Sequence, residues 1–119
     1  MRLQQLFNSQ DRKEILAYAA PYEIIIIDEA QQIASIGVAA KMIIDEYPHK
    51  TIILTGSMIP IEGFSPSDGP FNLGFAIANV EKLPAGVYVA MNGKIFTPEE
   101  IAKEISKGRF FSIFGKKER

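Results

Sequence analysis

Four isoleucines, Ile24–Ile27, run directly into Asp28 and Glu29. An acidic pair at the end of an unbroken β-branched run sits where open α/β sheets place their ligands, outside the carboxyl ends of the strands. Further along, Lys50 opens a second apolar run, "TIILT", whose end presents two hydroxyls, Thr55 and Ser57, around Gly56. Turn formation is the commoner duty of such residues. His49 is the single histidine and has no serine or cysteine at motif spacing, which leaves little basis for a pH-active or metal-binding role. The absence of cysteine excludes disulfides, thiolate chemistry and cysteine-based zinc sites. No cluster at metal-ligand spacing is visible, and no cofactor is expected.

The elements that must position these groups alternate between helix and strand. "SQDRKEILAYAA" (9–20) has helical spacing, with Asn8 or Ser9 as cap and Pro21 as stop. "EIIIID" (23–28) reads as a strand covered on both faces. Ile33, Ile36, Gly37, Ala40, Ile43, Ile44 and Tyr47 make one apolar helical stripe ending near Pro48. "TIILT" (51–55) is a second buried strand, and 56–70 holds most of the turn-formers. Pro70 suits the first turn of a helix with Leu73, Ile77 and Val80 along one side. "GVYVAM" (86–91) is a third strand, with Asn92-Gly93 turning it into "KIF". Thr97-Pro98-Glu99-Glu100 is a capping box opening a helix to about Lys107. "RFFSIF" (109–114) could be an edge strand or a packed tail.

This order predicts a single α/β domain over residues 1–119, with at least three parallel strands and crossover helices, in two or three layers of Rossmann or flavodoxin type. If the strands lie side by side in chain order, right-handed crossovers put both connecting helices on one face. The other face and both sheet edges then need cover, so a homodimer through the exposed face or edge is an expectation.

Two resemblances carry further implications. Residues 23–57, "EIIIIDEAQQIASIGVAAKMIIDEYPHKTIILTGS", resemble prokaryotic AAA-type P-loop ATPases, with Asp28 and Glu29 in place of the Walker B pair and "TGS" ending the next strand. That resemblance implies a Mg²⁺-holding aspartate and a water-polarising glutamate. The phosphate loop it would need, G-x-x-x-x-G-K-[ST], is not matched: Tyr88 and Phe110 stand at the first glycine positions before Gly93-Lys94 and Gly115-Lys116. From Lys50, "KTIILTGSMIPIEGFSPSDGPFNLGFAIANV" and "LPAGVYVAMNGKIF" resemble the asparaginase family, most closely its short single-domain members. That resemblance implies amide hydrolysis with a threonine nucleophile and a Thr-Asp pair from "HGTDT" that works with a lysine. The lysine maps onto Lys50, whose alternative is a surface lysine at a strand start. "IDEAQ" (27–31) stands where "HGTDT" would, and Asp28 has no adjacent hydroxyl in sequence. Thr55, Ser57, Ser67 and Asp68 are the binding candidates of this set.

The chain is therefore expected to be a folded hybrid, ATPase-like over 1–57 and asparaginase-like over 50–107, with 108–119 as tail or edge strand and no efficient catalysis. The alternatives are a degenerate asparaginase-like amide hydrolase or acidic amino-acid binder, and a nucleotide-linked module using the acidic pair. Net charge is −1, so no nucleic-acid partner is expected. The closing "GKKER" reads as a solvated tail. No apolar run is long enough for a membrane span, and a cytoplasmic setting is the expectation.

Overall fold

The computed structural model describes residues 3–57 and 68–100. Two short helices, α1 (Leu3–Ser9) and α2 (Arg12–Ala19), precede strand β1 (Ile24–Ile27). A 3-10 turn at Ala30–Gln32 leads into α3 (Ile36–Glu46) and strand β2 (Thr51–Thr55). Helix α4 (Gly69–Asn79), a 3-10 turn (Val80–Lys82), β3 (Gly86–Met91) and β4 (Lys94–Phe96) follow. The sheet order is β1-β2-β3-β4, parallel except for the β3–β4 hairpin. The expected α/β fold is present.

Local chemistry explains several elements directly. Asn92 (φ 53°) and Gly93 (φ 72°) both turn left-handed, as a two-residue hairpin connection between right-twisted strands requires. The capping box forms reciprocally: Thr97 N donates to Glu100 Oε1 at 2.8 Å, and Glu100 N to Thr97 Oγ1 at 3.2 Å. Pro70 occupies the first turn of α4, where its missing N–H costs nothing. The stretch expected to continue that final helix to Lys107, and "RFFSIF", lie outside the described residues.

The helix expected over 9–20 is α2, which starts at Arg12; Gln10 (φ 58°) separates it from α1, a helix not expected from sequence. Asp11, not Asn8 or Ser9, caps α2, accepting from Glu14 N at 3.2 Å. Asn8 instead accepts from Ser35 N at 2.9 Å, just before α3, and Ser9 donates back to Leu6 O. In α3 the buried face runs through Ile36, Ala39, Ala40 and Ile43, with Gly37 turned outward. In α4 it runs through Asn72 and Ala76 to Val80, while Ile77 is 57% exposed. Hydrogen bonds made by Asn72 set that rotation in place of the apolar residues. β1 packs into both cores, through Ile25 and Ile27 on one face and Ile26 on the other, but its first residue is open: Ile24 is 43% exposed.

The largest departure concerns the crossovers. Ile52, Leu54 and Val89 face one core together with α1, α2 and α3, whereas Ile53 and Ala90 face a second core with Ala76 of α4 and Val80. The connecting helices α3 and α4 thus lie on opposite faces of a sheet whose strands step in one direction. Two such crossovers have opposite hands, so one of them is left-handed, against a right-handed preference of about 98%. This gives three layers, with helices of the chain on both sheet faces.

Candidate functional site

The carboxyl ends of β1, β2 and β3 open on one side of the sheet, and the polar groups of interest meet there. Glu29 follows β1 in a left-handed conformation (φ 52°), an uncommon state for a non-glycine residue. The strained turn is held on both sides. Asp28 Oδ1 accepts from Glu29 N at 2.8 Å, and the Glu29 carboxylate accepts from Gln31 Nε2 at 2.7 Å. Across the gap to β2, Ser57 Oγ donates toward both Glu29 oxygens at 3.4 Å, and Gln31 Nε2 reaches Ser57 Oγ at 3.5 Å. Among the described residues the hydroxyl in contact with this acidic pair is that of Ser57, and it lies next to Glu29.

Gln31 fits this corner closely. Its Oε1 is buried with no hydrogen-bond partner among the described residues. The opposite amide orientation would set an oxygen against the Glu29 carboxylate, so the carboxylate fixes which way the amide points. The unpartnered oxygen lies against Gly56: a Cβ built there would stand 2.0 Å from it. Only glycine leaves space for this close approach of backbone and side chain.

Asn72 secures the other half of the opening. It is fully buried, and its Nδ2 donates to Gly56 O at 2.8 Å and Asp68 Oδ2 at 3.1 Å while approaching Met91 Sδ at 3.2 Å. Its Oδ1 accepts from Asn92 N at 3.0 Å. One side chain thus links the ends of β2 and β3 to the start of α4. Thr55 is likewise buried and structural, with Oγ1 donating to Ala90 O at 3.0 Å. Asp68 is the N-cap residue of α4. Ser67 lies outside the described residues.

Lys50 is elsewhere. It stands before β2, at the amino end of the strand, and all five residues of β2, about 16 Å at the usual strand rise, lie between it and the Gly56–Ser57 end. It is not a surface lysine, being 2% exposed. Its Nζ donates to Ala20 O at 3.1 Å and to Tyr22 O, and sits 4.7 Å from the centroid of the Tyr47 ring. The ammonium is satisfied by carbonyls beyond the end of α2 and by an aromatic face. His49 is exposed, 4.0 Å from the Glu23 carboxylate. The structure therefore brings together Glu29 and Ser57, with Asp28 alongside, and leaves Lys50 and His49 at the opposite end of the sheet.

Gln31 and Asn72 were not singled out from sequence. Asn72 carried a signal in hindsight, being a polar residue in an otherwise apolar helical stretch, four residues before Ala76. Gln31 carried none. Among the described residues no group of three or more His, Cys, Asp or Glu side chains is placed to hold a metal ion, and no helix is long and apolar enough to cross a membrane.

A parallel sheet with this opening and the "SDGPFNL" helix start point to one family. The family model described as Asparaginase, N-terminal, matches residues 25–112, and the chain belongs to that family. The match includes the "DEAQ" segment as well as the part after Lys50. No curated protein matches the chain.

Proposed function

We propose that this asparaginase-family domain presents the carboxyl ends of β1 and β2 as a small-molecule surface and does not by itself hydrolyse amides efficiently. The observation that carries this reading is the separation of Lys50 from the Glu29–Ser57 pair. A lysine that activates a hydroxyl or a water must come within about 3 Å of it. Lys50 is instead committed to Ala20 and Tyr22 at the far end of β2. The contact between Ser57 and Glu29, 3.4 Å to both oxygens, is long for a nucleophile and its base, and Gln31 already holds the carboxylate at 2.7 Å.

The same geometry favours a ligand that donates hydrogen bonds. Asp28 and Glu29 offer acceptors, so an ammonium or primary amide group fits better than a second carboxylate, and asparagine fits better than aspartate. One family spans 25–112, so the Walker-B-like letters are read here as this fold's own strand-end turn, and neither a join between two parents nor an engineered origin is invoked.

The test is thermal unfolding with asparagine, aspartate or Mg-ATP, alongside ammonia release from asparagine. A site held at a hundred times its dissociation constant adds about 2.7 kcal/mol, a shift of several degrees for a domain of this size. The reading expects a shift with asparagine that Glu29→Ala removes, no shift with Mg-ATP, and no ammonia release above buffer. A Mg-ATP shift lost in Asp28→Asn would replace it with the nucleotide-linked reading.

A further inference from the structure

Among the described residues β1 is the outer strand of the sheet on its side, and its edge has three features that coincide. The first is unpaired backbone. Thr51 N donates to Glu23 O at 3.0 Å, which fixes the parity of the parallel ladder: Ile25 and Ile27 turn their amides and carbonyls toward β2. The N–H and C=O groups of Ile24 and Ile26 therefore point outward, where no described residue meets them. The second is exposed apolar surface. Leu3 (46%), Tyr18 (47%), Tyr22 (51%) and Ile24 (43%) lie along this flank, and the Tyr18 and Tyr22 rings are 6.3 Å apart. The third is space: a cleft of about 400 Å³ runs between β1 and the amino-terminal helices, lined by Leu3, Phe7, Tyr18 and Ile25–Ile27, with Asp28 and Glu29 at one end.

Edge strands of soluble proteins are commonly blunted by lysine, proline or a bulge. β1 has none of these: it is four isoleucines in regular register. Its charges lie at its ends instead, Glu23 before it and Asp28 and Glu29 after it, with His49 4.0 Å from Glu23 as the nearby basic group. This arrangement discriminates between occupants. A second copy pairing antiparallel must set outward residues opposite outward residues: about Ile26 this brings Glu23 of each chain opposite Glu29 of the other, a like-charge contact, and about Ile25 it pairs no charges at all. A strand with basic ends meets opposite charge in either direction.

We propose that the free edge of β1 is a strand-addition site for an extended apolar peptide segment with lysine or arginine at its ends. The outward groups of Ile24 and Ile26 supply the main-chain hydrogen bonds. The cleft receives alternate apolar side chains, and Asp28 and Glu29 receive the basic end.

The test uses the full chain and a synthetic peptide of alternating threonine and valine with a lysine at each end (acetyl-KTVTVTK-amide). Its controls are the same peptide with glutamate ends and one with proline at the centre. Binding is followed by calorimetry, and backbone amide exchange is followed residue by residue. The expected result is slowed exchange at Ile24 and Ile26 with Ile25 and Ile27 unchanged. The glutamate-ended peptide should bind about tenfold or more weakly at low salt, with the difference shrinking as salt rises. Ile24→Pro removes an outward N–H and no ladder bond, so it should weaken binding while the unfolding midpoint stays put. If that variant does not fold, the exchange pattern of the unchanged chain decides. Equal binding of lysine- and glutamate-ended peptides overturns the proposal. So does protection of Ile24 and Ile26 without peptide: in a dimer it means that a second copy occupies the edge, and in a monomer that the chain's own remaining segment does.

Discussion

The ammonium of Lys50 donates to the carbonyl oxygen of Ala20 at 3.1 Å, joining the end of α2 to the beginning of β2 across thirty residues of sequence. A charged side chain that is 2% exposed survives burial only if its hydrogens are used, and the carbonyls of Ala20 and Tyr22 with the Tyr47 ring use them. The lysine that the family resemblance assigns to catalysis is thus tied, at the amino end of β2, to the carbonyls that follow α2.

Replacing it should therefore cost stability. Lys50→Met keeps the apolar stem but leaves two carbonyls facing an apolar group, and a loss of about 1–3 kcal/mol is expected. Lys50→Arg should not restore the clamp, because a planar fork does not fit the place of a compact ammonium. Urea unfolding measures both, and an unchanged midpoint for Lys50→Met would show that the clamp contributes nothing.

Asn72→Leu should be the more damaging change. It removes the donor to Gly56 O in a buried setting and the acceptor for Asn92 N in a part-buried one together. About 3 kcal/mol is expected. Because Asn72 ties β3 to β2, amide exchange should quicken at Asn92 and Gly93 more than in α2.

Gly56→Ala probes the corner between the two carboxyl ends. The new methyl would meet Gln31 Oε1 at 2.0 Å, and the flexible glutamine should yield before the backbone does. Gln31 then loses its bonds to Glu29 and Ser57, at a cost of about 1 kcal/mol. Side-chain amide resonances of Gln31 should move toward their exposed positions. If they stay where they are, the close packing described here is wrong.

What could be read from sequence was what local chemistry decides. The Thr97–Glu100 box and the Asn92-Gly93 turn each complete their hydrogen bonding or dihedral demands within four residues, so no distant context can overrule them. The isoleucine-rich runs at 24–27 and 52–53 likewise mark strands whatever the topology. Other features depend on which surfaces meet. The hand of a crossover is not written in either strand or in the helix between them, so the right-handed rule placed α3 and α4 on one face. Ile77 faces outward and Asn72 inward because hydrogen bonds to Gly56 and Asn92, far apart in sequence, set the rotation of α4. Lys50 looked like a surface residue or a catalyst because its partners, Ala20, Tyr22 and Tyr47, are carbonyls and a ring that no motif records.

The most direct measurement is ammonia release from asparagine by the full chain and by Lys50→Met, each first shown to be folded by a cooperative unfolding transition. The account predicts no release above buffer from either protein. Sustained release from the unchanged chain that disappears in a folded Lys50→Met variant would contradict it, and would require Lys50 to leave Ala20 and act in catalysis.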